Sequence, residues 1–215
     1  YGRFLERWHD RAGGRLRCAV SCSAPQRVTP TYFKALGALA SERDLPYNMH
    51  ILETRLQRVL GEVNYGKSLI RHAHDMGVLN EQAMVIHAIW IDEDDLALLA
   101  DSGCSIAHNP VSNLKIGSGI MPFRRLRQRG INVCLGNDEA ATDDGINLWT
   151  VGKVAGLVHN VADPDFDHWP LPLEILTALT SAGARAMRLP SKTGRLAPGW
   201  QADISGARSF EDLPL

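Results

Sequence analysis

The stretch QAMVIHAIWIDEDDLALLADSGCSIAHNP (residues 82–110) places one amphipathic run between two short apolar ones. QAMVIHAIW and CSIAHNP are short and apolar, and both read as buried strands. Between them, DEDDLALLADSG opens on acidic residues, which the helix macrodipole favours at an N-terminus. It closes on Gly103, a residue suited to the left-handed turn that follows a helix. A strand, a crossover helix and a second strand make a βαβ unit, and such units build parallel sheets.

The same alternation extends in both directions. Upstream, RLRCAVSCSAP is a strand candidate followed by a helix from TPTYFKALGALASERD, with Thr29 or Thr31 as cap and Pro30 in the first turn. PYNMHIL is the next strand, followed by a loop and the helix GKSLIRHAHDMGVL. Downstream, a loop and the helix MPFRRLRQRG lead to the strand INVCLGND. Two helical stretches, GINLWTVGKVAGLVHN and PLEILTALTSAGARAMRL, precede GRLAPGWQADI. The reading is an α/β fold with five strands of a βα repeat. Polar residues at the strand ends are separated by 37 residues (His50 to His87), 21 (His87 to His108) and 30 (His108 to Asp138). These spacings scatter around the roughly 30 residues of one βα unit in a (β/α)8 barrel.

Composition excludes several classes. The 215 residues are 45% hydrophobic and 22% charged, with a formal net charge of −1, as in an ordinary globular chain. No basic cluster exceeds FRRLRQR, which alternates with apolar residues like the solvated face of an amphipathic helix, so no nucleic-acid partner is expected. No apolar run is long enough to span a membrane, and none is expected as a partner. Cys18, Cys22, Cys104 and Cys134 contain no C-x-x-C pair and read as buried free thiols, which places the chain in the cytoplasm. The chain opens without Met on YGRFLERWHDR, which reads like the middle of a helix; it is expected to be a piece of something longer.

His50, His87, His108 and Asp138 all fall at or near the C-terminal ends of their strands. In a barrel that puts all four on one rim, around one cavity, where such folds keep their chemistry. Histidines and a carboxylate around an open coordination position are what a catalytic divalent metal needs to bring a bound water's pKa toward neutrality. Glu53, three residues past His50, is placed to shuttle a proton. His72 and His74 lie two apart on a helix and point to different sides, so they are not expected to chelate one ion. His9, His159 and His168 are expected to have no partner.

HILET, VIHAIWIDEDDLALLADSGCSIAHNPVSNLKIGSGIMP, LGNDEAATDD and GRLAPGWQADI together closely resemble the amidohydrolase superfamily, in its branch of deaminases and chlorohydrolases acting on aminated heterocycles. The resemblance runs from about residue 18 to residue 204. It implies a (β/α)8 TIM-type barrel represented by strands four to eight, with residues 1–204 as the C-terminal five-eighths of that barrel. Residues 205–215 would then begin the return to a small β-domain or form a disordered tail. By the same resemblance His50 is a metal ligand, Glu53 the proton shuttle, and His87 orients the attacking oxygen or the substrate. Asp138 is both metal ligand and base. His108, Asn109 and Asn113 come to the rim near the substrate; for the two asparagines, shaping the loop through their own hydrogen bonds is an equal reading.

The implied reaction is hydrolytic deamination or dechlorination of an aminated purine, pterin or triazine by a metal-activated water. One divalent metal is expected, zinc first and iron second, along with a small-molecule substrate and a homo-oligomeric assembly. Two features depart from the family. Its eighth-strand G-T-D-G reads GNDE here, and Glu139 with the acidic DEAATDD segment suits either an amine-bearing substrate or solvent. The first-strand His-x-His pair has no counterpart, so the N-terminal barrel strands are expected to be missing from this chain, which alone is expected to fall short of a full ligand set. A non-catalytic barrel remnant acting in binding or assembly is the alternative.

Overall fold

Apolar residues at alternate positions of short segments form the five strands expected, and the computed structural model, which describes residues 1–204, pairs them all in parallel. They are β1 (Val20–Ser21), β2 (Tyr47–Ile51), β3 (Ala83–His87), β4 (Ser105–His108) and β5 (Asn132–Leu135), and they neighbour one another in chain order. The expectation for residues 205–215 lies outside the described residues. β1 is shorter than RLRCAVSCSAP suggests. As an edge strand it has one partner, pairing Val20 with Tyr47 and Ser21 with Asn48.

The helices follow from local chemistry. Thr29 caps the helix Pro30–Glu42 by accepting from the Tyr32 N–H at 3.3 Å, with Pro30 in the first turn. Asp92 and Asp95 form a reciprocal capping box on Glu93–Ser102, and Gly103 ends it at φ +72°. The stretch after β2, expected to be a loop, is instead the helix Arg55–Tyr65. Thr54 caps it and Gly66 terminates it in the left-handed region, and Leu56, Val59, Leu60 and Val63 recur at helical spacing between these end signals. A short helix, Pro110–Lys115, likewise occupies the expected loop after β4. In Phe123–Gln128, Phe123 and Leu126 are buried, while Arg125 pairs with Glu93 on the outside.

The sheet has two faces, and they are packed differently. Met49, Ile51, Val85, Ile106 and Val133 pack against the helices in one core that includes Phe33, Leu36, Leu96, Leu99 and Phe123. Met84, Ala107 and Cys134 point to the opposite face, where Ala182 and Ala186 of the helix Ser181–Ala186 cover them. Asn132, at the start of β5, donates to Ser105 Oγ (2.9 Å) and to the Ala182 carbonyl (3.0 Å). Arg188 pairs with Asp44 (2.6 Å) and Glu81 (3.3 Å), which precede β2 and β3. The C-terminal segments thus close the N-terminal end of the sheet and leave the C-terminal strand ends free.

Candidate active site

Sharp backbone turns at three strand ends aim the polar side chains. Leu52 (φ +54°), His87 (+77°), Ala88 (+46°) and Asp138 (+67°) are non-glycine residues in the left-handed region. Each costs roughly 1–3 kcal/mol, and such strain clusters at functional sites. At His87 the turn spans three residues, closed by the Ala88 N–H donating to the Ile86 carbonyl at 3.3 Å. The Ala88 N–H also reaches the Ile51 carbonyl (3.1 Å), and the Ile89 N–H reaches Leu52 (3.0 Å), so β2 holds the distorted end of β3 in place.

These turns bring His50, Glu53, His87, Asp138 and Glu139 to one cavity of about 300 Å³. His50 Nδ1 lies 2.7 Å from the Ser23 carbonyl. A carbonyl only accepts, so that nitrogen carries the proton and Nε2 keeps its lone pair. His87 is fully buried; its Nδ1 meets Asn113 Oδ1 at 2.8 Å, and its Nε2 has no hydrogen-bond partner among the described residues. That Nε2 lies 3.8 Å from Glu53 Oε1 and 3.8 Å from Asp138 Oδ2. Burial pushes the His87 imidazole below its usual range, against the upward pull of the Glu53 carboxylate. Glu53 is held through its backbone N–H by Gln57 Oε1 (2.8 Å), and Asp138 accepts from Ser112 Oγ (2.6 Å) and from the Glu139 N–H (3.0 Å).

His108, Asn109 and Asn113 are placed differently from their expected position at the cavity rim: all three are buried and none lines the cavity. His108 shares the parity of Ile106 on β4, so its ring enters the helix layer, where Nε2 sits 3.2 Å from His159 Nε2. All three histidines expected to be without a partner have one: His159 is half of a buried pair packed on Phe123, His9 Nδ1 accepts from the Cys18 N–H (3.1 Å), and His168 Nδ1 meets Asp163 Oδ2 (2.9 Å). Burial drives His108 well below its ordinary range. The same cause, aided by the Arg124 charge, pushes His159 down to about 4. The Asn109 amide is surrounded by the carbonyls of His108 (3.3 Å) and Gly136 (3.1 Å), the pattern of a loop-shaping residue.

Other residues complete the picture. His72 stacks 3.8 Å from the Tyr65 ring and 5.9 Å from Phe33, a core position, while His74 is exposed. Of the four carboxylates in the acidic segment, Asp138 and Glu139 line the cavity, while Asp143 accepts from Asn137 (2.7 Å) and Asp144 pairs with Lys115. Arg27, which nothing in the sequence singled out, also lines the cavity and donates to Ser23 Oγ at 3.2 Å. A roomier cleft of about 520 Å³ lies elsewhere, beside Asp10, Arg17 and Lys192, and contains no histidine.

The free Nε2 of His50 and the Asp138 carboxylate are donors of the kind a zinc or iron ion takes. Among the described residues, no group of three or more His, Cys, Asp or Glu side chains is arranged to hold a metal ion. The donors fit such an ion in kind but fall short of the three protein ligands of a catalytic zinc.

A parallel sheet with these polar groups on its C-terminal rim is an arc of a (β/α)8 barrel. The chain belongs to the amidohydrolase family, which it matches over residues 2–206. The 5-methylthioadenosine/S-adenosylhomocysteine deaminase of Desulforudis audaxviator is 33% identical over 201 residues, covering 94% of this chain and 46% of that protein. The crystal structure of an adenosine deaminase from Xanthomonas campestris with bound zinc superposes with a TM-score of 0.88 at 26% identity, over 94% of this chain and 45% of that one. Atrazine chlorohydrolase from Arthrobacter aurescens complexed with zinc gives 0.88 at 27% identity, over 93% and 44%. The chain spans less than half the length of the curated relatives it matches. Among the described residues no helix is long and apolar enough to cross a membrane.

Proposed function

We propose that this chain carries the proton-transfer groups and part of the metal site of a hydrolytic deaminase acting on an aminated heterocycle. The observation that carries the reading is the convergence of the free Nε2 atoms of His50 and His87 with the carboxylates of Glu53 and Asp138 on one cavity. A purine nucleoside is the first substrate class, in line with the deaminase and adenosine deaminase among the similar proteins, with a pterin or triazine next.

A divalent cation held by His50, Asp138 and donors from outside this chain would supply the Lewis acidity that makes water ionise near neutral pH. Zinc is favoured because similar structures hold it; iron is the alternative. Asp138 accepts the proton of the attacking water. Glu53 delivers its proton to the ring nitrogen or to the departing amine. His87, with Nδ1 engaged by Asn113, offers Nε2 to the attacking oxygen. Glu139 favours a substrate edge bearing amino hydrogens. His108, Asn109 and Asn113 act behind the cavity wall.

The remaining barrel strands are supplied by the rest of the protein, a reading supported by the short coverage and by two sheet edges that have no partner strand among the described residues. Exposed Leu56, Val59 and Val63 on one helix support a homo-oligomer, and four free thiols support a cytoplasmic setting. The test is metal content and ammonia release by the complete protein on aminated purine nucleosides, pterins and triazines, with chloride release from a chlorotriazine. Near-stoichiometric metal with turnover supports the reading. Neither metal nor turnover across the panel overturns it in favour of a non-catalytic remnant.

A further inference from the structure

One short segment of chain touches all three proton-handling groups from behind. Ser112 Oγ donates to Asp138 Oδ2 at 2.6 Å, Asn113 Oδ1 accepts from His87 Nδ1 at 2.8 Å, and Ser118 Oγ lies 3.5 Å from Glu53 Oε1. Asp138 and Glu53 follow β5 and β2 and His87 ends β3, whereas their three partners lie within seven residues after β4. Ser112, Asn113 and Ser118 are 0%, 1% and 5% exposed, and none lines the cavity, so they cannot serve as substrate contacts.

The segment is itself held firmly. The helix Pro110–Lys115 starts it, the Ser118 N–H donates to the Asn113 carbonyl (2.8 Å), and Trp90 Nε1 donates to the Ser118 carbonyl (2.8 Å). Next to it, Gly119 at φ +122° passes so close to Ile89 and Trp90 that an added Cβ would lie 3.0 and 3.1 Å from them. A side chain there would push the segment away from the strand ends.

We infer that the segment 112–118 is a positioning brace: Ser112, Asn113 and Ser118 fix the Asp138 carboxylate, the His87 tautomer and the Glu53 carboxylate in one mutual geometry. The hydrogen bond to Asn113 Oδ1 requires a proton on His87 Nδ1, so it leaves Nε2 as the atom facing the carboxylates. Ser112 occupies one lone pair of Asp138 Oδ2 and so limits rotation of that carboxylate. The inference rests on the proposed proton-transfer roles, but its geometric content does not depend on turnover.

Two measurements on the complete protein separate the two. In the metal-free protein, 15N-histidine NMR, with His87 assigned through His87→Gln, reads the tautomer directly. The brace predicts a protonated Nδ1 in wild type, a mixed tautomer in Asn113→Ala, and the wild-type pattern in Asn113→Asp, which keeps the acceptor. Should Asn113→Ala fail to fold, Ser112→Ala and Ser118→Ala delete single hydroxyls. Each should lower kcat by roughly 10- to 100-fold with KM changed less than about threefold, and Ser112→Thr should restore most of the loss. An unaltered His87 tautomer in folded Asn113→Ala, or wild-type kcat in both serine variants, overturns the brace. A wild-type protein that hydrolyses nothing in the panel overturns the proposed function instead, and the NMR result then decides the brace alone.

Discussion

The carbonyl of Ser23 accepts from His50 twice, from its backbone N–H at 2.7 Å and from Nδ1 at 2.7 Å. Ser23 adopts φ +64° just past β1, and its carbonyl thereby fixes both the position and the tautomer of a histidine on the next strand. Metal-ligating histidines are typically held this way, with the nitrogen that does not bind engaged elsewhere.

His50→Ala in the complete protein should therefore lose its divalent metal, falling at least roughly tenfold in metal per chain by elemental analysis. Glu53→Gln should keep metal content near wild type. Equal loss in both variants would remove the distinction between ligand and proton shuttle.

Glu53→Gln and Asp138→Asn should each lower kcat by at least roughly a hundredfold, since each removes a proposed proton-transfer group while preserving shape. Ammonia release at saturating substrate is the measurement. Retained turnover in Glu53→Gln would exclude that residue from the mechanism.

The buried pair His108 and His159 makes stability pH-dependent. Both are held neutral well below the ordinary imidazole value of 6.5, His159 down to about 4. Below pH 6.5 the unfolded chain therefore binds protons that the folded chain refuses. Stability is complete above that pH and is lost as pH falls toward 4, by up to about 1.4 kcal/mol per pH unit for each histidine involved. Denaturant midpoints between pH 7.5 and 4.5 should show this decline, and His159→Phe should make it shallower. An identical slope in the variant would assign the acid sensitivity to other groups.

Asp95 is nearly fully buried, pairs with Arg58 and accepts from Ser68 Oγ, tying the helices Arg55–Tyr65 and Glu93–Ser102 together. Asp95→Ala leaves the buried Ser68 hydroxyl without its acceptor, while the part-exposed Arg58 keeps its pair with Asp92, so the expected cost is roughly 1–3 kcal/mol. A thermal or denaturant melt measures it. Because Gln57 on the first of these helices holds the Glu53 backbone, kcat should fall as well.

Much of the molecule was legible in the residues. The alternation of short apolar runs with amphipathic stretches is local information, and it yields β2 to β5 and the parallel order, since a crossover helix admits few other pairings. The end signals Thr29, Gly103 and Asp92 act within four residues of their targets and are equally readable. The helix Arg55–Tyr65 also carries its signals locally, with Leu56, Val59, Leu60 and Val63 at helical spacing between Thr54 and Gly66, so the loop expected there is a misreading of periodicity and not a tertiary effect.

For the site, the sequence by itself determined that His50, His87, His108 and Asp138 lie near strand ends, because chain spacing counts βα units. It did not determine which way each faces. His108 lies on the helix side of β4 by simple alternation, whereas His87, of the same parity as Val85, reaches the cavity through a strained turn. Only the tertiary structure decided that His159 meets His108 across 51 residues, and that Ser112, Asn113 and Ser118 stand behind three other strands' side chains. The physical reason is that periodicity and capping are set by neighbours along the chain, while partners for buried polar atoms come from whichever elements the sheet's register and the helix packing bring alongside.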